Sequence, residues 1–274
     1  MTLKTRNRLF VVLLGISLLC IVAAAVALLT AFTHHAIVPP TAYRVPSFAA
    51  RLPLAGYHFS ATMLAIAALV LYVPVVLALL LLAFENTQTS ELLFFATFLL
   101  GCLCEGSRLL IPLFALGESF SQLQLFMGRA LFVGRMVAPL SFVGAAILSD
   151  SDQRQDLERN VLIIIAAAIL TALAVPLNTA QVTTACTITW GFPRLFTAMR
   201  ALFVVTAVVS FWLNGWRHDT AELRHIALAS LLVLCGYQLL ACADNFVFLI
   251  IGLALLSAGT YLLLTKLHKL YMWK

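Results

Sequence analysis

Charged residues are scarce in this chain. Asp, Glu, Lys and Arg together make up 10% of its 274 residues, whereas 63% of the residues are hydrophobic. Soluble globular proteins carry about 25% charged residues. A surface with so little charge is poorly suited to water, so the composition predicts a multi-pass membrane protein and argues against the soluble classes. The formal net charge of +6 is explained below by topology, and we expect no nucleic-acid partner.

Several motifs that carry chemistry are missing. The sequence contains no C-x-x-C, H-x-x-x-H, H-E-x-x-H, Walker A or G-x-S-x-G pattern. Their absence argues against zinc and haem sites, nucleotide hydrolysis and serine hydrolases. We expect no metal and no cofactor. No polar segment is long enough for a soluble domain, so a single integral membrane domain is predicted over residues 1–274.

The cysteines form no recognisable framework. Five of the six lie in apolar segments and Cys186 lies in a loop; the six are Cys20, Cys102, Cys104, Cys186, Cys235 and Cys242. Free cysteines are usually small apolar packing residues, and we interpret these in that way. A bridge between Cys186 and Cys242 at the outer surface is the alternative.

Eight long apolar segments are present. A bilayer core of about 30 Å needs roughly 20 apolar residues per helix, and backbone groups in lipid must bond within their own segment. The fold class predicted is therefore all-α, a bundle of eight transmembrane helices. The segments are Leu9–Phe32, Ser60–Phe84, Leu92–Leu116, Gln122–Leu148, Val161–Leu177, Leu195–Asn214, Ile226–Cys242 and Phe246–Thr265.

The basic residues predict the orientation. Cytoplasmic loops are enriched in Lys and Arg, and with both termini in the cytoplasm ten basic residues fall inside and three outside. Those inside are Lys4, Arg6, Arg8, Arg154, Arg159, Arg217, Arg224, Lys266, Lys269 and Lys274, and those outside are Arg44, Arg51 and Arg194. The expected location is the inner (cytoplasmic) membrane of a bacterium.

The first segment has a second interpretation. A basic start followed by an apolar run and small residues is also typical of a signal peptide. Cleavage near Ala25 would leave seven helices. Because the apolar run continues to Phe32, it is longer than a typical signal, and we favour a retained helix.

Five ionisable residues lie inside predicted helices: Glu105, Arg108, Arg129, Arg135 and Arg200. Such residues are rare in membrane spans and are candidates for a functional site. Arg108 and Arg129 each lie about eight residues, or roughly 12 Å, from the outer end of their helix. A short turn makes the third and fourth helices neighbours, so the charges are predicted to lie together in the outer half of the membrane.

The spacing of these residues adds detail. Glu105 and Arg108 are three residues apart and lie on one helical face. Arg129 and Arg135 are six apart, so one is expected to pair with Glu105 while the other faces a different partner or the lipid headgroups. Pro112 and Pro139 each lie four residues after an arginine and free that arginine's own carbonyl, which favours a kink beside the charge.

The charge count predicts an anionic partner. Four embedded arginines accompany one embedded glutamate, and Asp244 and Glu118 near the outer rim can neutralise two more at most. Arginine stays protonated in proteins, and an unpaired buried charge costs several kcal/mol. An outside anion is therefore expected: a lipid phosphate, a small anionic ligand or an acid of a partner protein. Structural Arg–Glu pairing is the competing interpretation.

Two further features lie near the same end. Ser230, Tyr237 and Asp244 recur at seven-residue spacing, so one face of the seventh helix is expected to line a polar region. Residues 178–194 are Thr-rich and alternate, which favours a strand or hairpin ending in an interfacial Trp190.

Three functions remain open at this stage. The first is binding or transport of an anionic ligand or lipid headgroup at a site made of Glu105, Arg108, Arg129, Arg135, Arg200, Tyr237 and Asp244. The second is a sensory or scaffolding module that signals through a membrane or cytoplasmic protein partner. The third is a lipid-modifying enzyme with Glu105 as acid or base. We favour the first and expect no catalytic residue.

Overall fold

The protein is described by a computed structural model that covers residues 2–33, 44–45, 56–84, 89–114, 122–148 and 157–272. Within these residues eight helices are long and apolar enough to cross a membrane, as the sequence predicts. The elements are α1 (Leu3–Thr33), β1 (Arg44–Val45), α2 (Phe59–Ala83), α3 (Ser90–Cys104), a 3-10 segment (Glu105–Leu109), α4 (Leu110–Leu113), α5 (Gln122–Leu148), α6 (Leu157–Ala174), β2 (Leu177–Thr183), β3 (Ile188–Trp190), α7 (Pro193–Arg217), α8 (Ala221–Cys242) and α9 (Phe246–Met272).

The helices differ in how deeply they are buried. The spans formed by α3 with α4, by α5 and by α8 are mostly buried, while α1, α6 and α7 are mostly exposed. α1 packs on α2, α6 packs on α5, and α7 lies against both α5 and α8. A central group of α3, α5 and α8 is thus surrounded by helices with broad apolar exposed faces, which is the pattern expected of a bundle whose surroundings are lipid.

The two ends of the bundle can be distinguished by their contacts. At one end Arg6 donates to the Phe84 carbonyl at 2.6 Å, and Tyr271 donates to Glu91 at 2.7 Å. These bonds bring the start of α1, the end of α2, the start of α3 and the end of α9 together. We call this the terminus end and the opposite one, which carries the strands, the hairpin end.

The hairpin predicted from residues 178–194 is present. β2 and β3 pair antiparallel, with Leu177 opposite Trp190 and Val182 opposite Ile188, and an irregularity separates the two registers. β1 adds a short parallel pairing to β2. The hairpin tip (residues 184–187) is buried, so it turns into the bundle and does not project from it.

Trp190, which the sequence predicts to be interfacial, is buried among side chains of the bundle. Its side chain is only 9% exposed and packs edge-on against Phe132 at 5.0 Å. Phe196 contacts the other side of Phe132, at 4.9 Å. The reason is that the hairpin folds back over α5, which places the end of β3 between α5 and α7 and away from the surface.

The third span is irregular where its charges lie. The helix changes to 3-10 geometry from Glu105 to Leu109 and then resumes as α4, which contains Pro112. A proline removes the bond to the carbonyl four residues earlier, here that of Arg108, and mid-helix 3-10 turns are typical of such sites. By contrast α5 continues without interruption through Pro139, so only one of the two proline positions is accompanied by irregular backbone.

Two glycines allow the central helices to approach closely. A Cβ added to Gly134 of α5 would lie 2.5 Å from the Cβ of Cys104, and one added to Gly101 of α3 would lie 2.8 Å from the Gly134 carbonyl oxygen. Small residues at such crossings let membrane helices pack backbone to backbone. This close crossing places the end of α3 beside the middle of α5, where the charged side chains meet.

Candidate functional site

Glu105 is the centre of the buried polar network. Its side chain is fully buried. Oε1 accepts from Arg135 Nε at 2.8 Å and from the Tyr237 hydroxyl at 3.0 Å. Oε2 accepts from Arg108 Nη1 and from Arg135 Nη2, each at 3.1 Å. An ionised carboxylate has about four lone-pair sites, so this one is fully engaged by protein donors.

Arg108 links the third span to the hairpin. Its guanidinium is fully buried, and Nε and Nη2 both donate to the Ala185 carbonyl, at 2.9 and 2.6 Å. Together with the bond to Glu105, three of its nitrogens are occupied. The arginine therefore fixes the hairpin tip to the third span by a charge-assisted pair of bonds.

Arg135 links α5 to the end of α8. Besides its two bonds to Glu105, its Nη2 donates to the Ala241 carbonyl at 2.7 Å, in the last turn of α8. Its Nη1 makes no hydrogen bond within the described residues. We call Glu105, Arg108, Arg135 and Tyr237 the Glu105 network; it joins the third span, α5, α8 and the hairpin through backbone and side-chain acceptors.

Asp244 lies in the short break between α8 and α9. Its carboxylate accepts from the Thr184 hydroxyl at 2.5 Å, and its own carbonyl accepts from the His58 amide at 2.9 Å. The neighbouring Asn245 accepts from the Phe248 amide at 2.9 Å and so caps the start of α9. Asp244 thus faces the hairpin tip, at the same end of the bundle as the Glu105 network.

Arg200 is buried but weakly bonded. It is 9% exposed, and its bonds to Phe196, Gln238 and Thr197 measure 3.3, 3.5 and 3.5 Å. Good N–H···O bonds are about 2.7–3.2 Å long. Arg200 has no carboxylate partner within the described part of the chain, where Glu105 pairs with Arg108 and Arg135.

Trp190 connects Arg200 with the Glu105 network. The guanidinium carbon of Arg200 lies 5.3 Å from the centre of the indole ring, and that of Arg135 lies 5.5 Å from it. Cation–π contact of this kind stabilises each arginine by about 0.5–2 kcal/mol. The indole Nε1 is buried and has no hydrogen-bond acceptor among the described residues. We call Arg135, Trp190, Arg200 and Gln238 the Trp190 site.

The predicted site residues are only partly brought together. Glu105, Arg108, Arg135 and Tyr237 share one network, Arg200 joins it through Trp190, and Asp244 joins it through the hairpin tip. Arg129 is exposed on α5 and makes no hydrogen bond or ion pair within the described residues. This agrees with the expectation that only one of Arg129 and Arg135 pairs with Glu105. Glu118 lies outside the described residues.

Sequence reasoning missed three participants. Trp190 was assigned to the interface, and the carbonyls of Ala185 and Ala241 carry no signal in a sequence at all. At the terminus end, Glu91 and Arg6 are also buried, 5% and 4% exposed. Both lie in the first turn of their helices, where a charged residue usually marks the membrane boundary. Their burial becomes visible only in the structure, where α9 packs near Glu91 and the end of α2 packs near Arg6.

The hydrogen-bond donors of the Trp190 site indicate which ligands it can bind. The Trp190 site offers guanidinium groups and an indole N–H but no spare acid, a set suited to the oxygens of a phosphate or carboxylate. No group of His, Cys, Asp and Glu that could hold a metal ion occurs among the described residues. No protein-family model matches the chain, and no curated protein sequence or solved structure is significantly similar to it.

Proposed function

We propose that this chain is a multi-pass protein of a bacterial inner membrane, with both termini in the cytoplasm, that binds an anionic ligand or lipid headgroup. The binding residues are those of the Trp190 site, which this orientation puts in the outer half of the bilayer. A protein that retains the anion and a protein that transports it must both bind it first. The orientation is supported by the excess of basic residues in the predicted inner loops.

The observation that carries the proposal is an imbalance of buried charge. Among the described residues, the hairpin end contains three buried arginines, Arg108, Arg135 and Arg200, and two buried acids, Glu105 and Asp244. Glu105 is shared by two of the arginines, so Arg200 has no acidic partner in the part of the chain that the structure describes. Since an arginine cannot lose its proton under ordinary conditions, an external anion is the direct way to neutralise it.

The donors at the site support the same conclusion. Arg200 makes only long bonds, Arg135 Nη1 makes none within the described residues, and Trp190 Nε1 is buried without an acceptor. All three belong to groups that meet at one indole ring. Leaving a buried donor unsatisfied costs about 1–3 kcal/mol, and one oxyanion would supply acceptors for several of them.

The Glu105 network has a different part in this proposal. Because all the lone-pair sites of Glu105 accept from protein donors, the carboxylate has no site for a substrate proton. An enzyme that uses Glu105 as acid or base is therefore disfavoured. We assign the network a positioning role: it fixes Arg135, and through Arg135 the Trp190 ring, in place.

A sensory or scaffolding role is the second candidate. Below the Glu105 network, Tyr237 packs on Phe98 at 5.6 Å and Phe98 packs on Phe142 at 5.3 Å. These side chains are at most 3% exposed. A packed aromatic layer directly below the network, with a cavity beyond it that Glu91, Phe95 and Phe142 help to line, is unlike a continuous path, and it favours a protein that detects an anion and passes the change to a partner protein.

The test is stabilisation of the purified protein by anions. Phosphatidylglycerol or inorganic phosphate is added to the protein in detergent and unfolding is followed by intrinsic fluorescence. A ligand at 100 times its Kd stabilises by about 2.7 kcal/mol, and Arg200→Gln should abolish that increment. Arg129→Gln is the matched control, an exposed arginine at the same end, and it should keep the full increment. An equal response of both variants to every anion would overturn the proposal.

A further inference from the structure

The residues around the Trp190 site indicate how a ligand reaches it. Two directions of approach exist: from the hairpin end along the bundle axis, and sideways between helices. The axial direction passes the hairpin tip, whose residues Thr184, Ala185 and Cys186 are 7%, 2% and 0% exposed. A water-soluble anion arriving along the axis beside Arg108 and Asp244 would have to displace this tip.

The tip is held on several sides. The Ala185 carbonyl accepts two bonds from Arg108, and Thr184 donates to Asp244. The Thr184 carbonyl accepts from Thr62 of α2 at 3.4 Å. These bonds hold the tip against α2, the third span and the α8–α9 break, over Arg108 and Asp244.

The sideways direction is different, because Arg200 lies on a helix that faces outward. α7 is mostly exposed along its length. The Nη2 of Arg200 reaches Thr197, which is exposed, and its Nη1 reaches Gln238 of α8, which is half-buried. The ends of the guanidinium therefore lie between α7 and α8, within reach of one exposed and one half-buried side chain.

The surface beside this seam between α7 and α8 is apolar. Ala201 of α7 is exposed and Val204 is half-buried, and they lie four residues after Thr197 and Arg200, on the side of the helix that borders the seam. Acyl chains can pack on such side chains, while a hydrated ion gains nothing from them. A cation at the edge of an apolar surface is the arrangement that suits an amphiphile with a phosphate near its chains.

The depth of Arg200 fits a lipid phosphate. The 25 residues of α7 make a helix of about 37 Å at 1.5 Å per residue, longer than a hydrocarbon core of about 30 Å. Arg200 lies seven residues after Pro193, or about 10 Å along the axis, which places it several ångströms below the boundary of the core. Arginine side chains at such depths extend to the headgroup layer or draw phosphates inward.

We propose that the ligand of the Trp190 site is the phosphate of an anionic phospholipid that enters sideways from the leaflet at the hairpin end, through the seam between α7 and α8. This inference rests on the proposed anion site and adds the class of ligand and its route. Arg200 and the Trp190 indole N–H donate to the phosphate oxygens, and the acyl chains lie along the apolar face of α7.

The experiment compares ligands that share a phosphate but differ in their chains. Phosphatidylglycerol, phosphatidylcholine, glycerol 3-phosphate and inorganic phosphate are each added to the detergent-purified protein, and the midpoint of thermal unfolding is measured. Bound lipid is counted by native mass spectrometry. We expect phosphatidylglycerol alone to raise the midpoint by several degrees and to remain bound, with both effects lost in Arg200→Gln.

A pair of tryptophan substitutions tests the route. Thr197→Trp fills the seam and should reduce bound phosphatidylglycerol at least tenfold. Val205→Trp, at a lipid-exposed position of the same helix, should leave it unchanged. If both variants retain the lipid fully, the sideways route is wrong.

The outcomes separate this inference from the proposed function. An Arg200-dependent shift with glycerol 3-phosphate or inorganic phosphate as large as that with phosphatidylglycerol would overturn the lipid assignment and leave the anion site standing. An equal effect of phosphatidylcholine would likewise overturn the requirement for an anionic lipid. No Arg200-dependent shift with any of the four ligands would overturn both proposals.

Discussion

At the hairpin end, the described interior of the bundle contains three arginines, two acids and a tryptophan joined by hydrogen bonds and cation–π contacts. At the terminus end, the interior contains Phe95, Phe98 and Phe142, whose rings lie 5.3–6.1 Å apart. Tyr237 belongs to both regions, because its ring packs on Phe98 and its hydroxyl donates to Glu105. The same helices α3, α5 and α8 run through both.

The difference between the two regions shows which interactions can direct assembly inside lipid. Lipid chains are as apolar as phenylalanine, so an aromatic interior gains from packing but little from leaving its surroundings. A buried carboxylate and guanidinium, in contrast, have no acceptable alternative partner in lipid. The Glu105 network therefore specifies that the third span, α5, α8 and the hairpin meet, and the aromatic cluster fills the space between α3, α5 and α8.

The largest expected effect comes from removing the shared acid. Glu105→Gln keeps the shape of the side chain but leaves Arg108 and Arg135 without a counter-charge. Breaking a buried pair in this way costs about 3–5 kcal/mol, and we expect the purified variant to unfold at much lower SDS fraction in mixed micelles.

A second substitution sharpens that result. In Glu105→Gln/Arg135→Gln the net charge of the network returns to its original value, so this variant should be more stable than the single one, with a coupling energy measurable in a double-mutant cycle. Equal stability of wild type and Glu105→Gln would show that the two ends do not differ as described.

The next effect is expected in the aromatic cluster. Phe98→Ala removes the ring that contacts Phe95, Phe142 and Tyr237. We expect a loss of unfolding free energy below the roughly 3–5 kcal/mol typical of soluble cores, because only packing is lost. Phe126→Ala, at a side chain that is 65% exposed, is the control for the same SDS titration. A loss for Phe98→Ala greater than that for Glu105→Gln would reverse the comparison.

Tyr237 contacts both regions, and we expect its hydroxyl to contribute an intermediate amount to the unfolding free energy. Tyr237→Phe keeps the ring on Phe98 and removes the bond to Glu105. Side-chain hydrogen bonds in membrane proteins are worth about 0.6 kcal/mol on average and about 1.7 at most, and we expect a loss in this range. Tyr261→Phe, at a ring that is 72% exposed, should cause none. A zero effect for Tyr237→Phe would mean that the two regions are energetically separate.

The smallest effect is expected at Arg129. The side chain is exposed and lacks hydrogen bonds within the described residues, so Arg129→Gln should change the unfolding free energy by less than about 0.5 kcal/mol. A loss comparable to that of Glu105→Gln, measured in the same titration, would place Arg129 in the network after all.

Much of the fold could be predicted because lipid imposes a simple rule. Each apolar run of about 20 residues has to form a helix, and the short ACADN break between α8 and α9 was recognisable from its polar residues alone. The ends were less predictable: α7 extends to Arg217 and α9 to Met272, past the last apolar residues, because helices continue where polar side chains can reach water.

For the site, the sequence indicated candidate residues but not all of their contacts. The three-residue spacing of Glu105 and Arg108 predicts their contact, and the six-residue spacing of Arg129 and Arg135 predicts that one of them faces elsewhere. Which one pairs depends on the crossing at Gly101 and Gly134, which no spacing rule contains. Nor does any side-chain pattern indicate that Arg108 bonds to a loop carbonyl 77 residues away.

That last bond has a consequence for synthesis. In the membrane topology proposed above, a chain made from its N-terminus would place Arg108 in the membrane long before residue 185 leaves the ribosome, and Arg135 would have its acceptor at Ala241 only after 106 more residues. In that topology the third span and α5 would enter the membrane before all acceptors for their arginines exist. Their final packing against each other would be fixed when the hairpin and α8 are added. Order of translation, as well as sequence, decides when this end of the bundle closes.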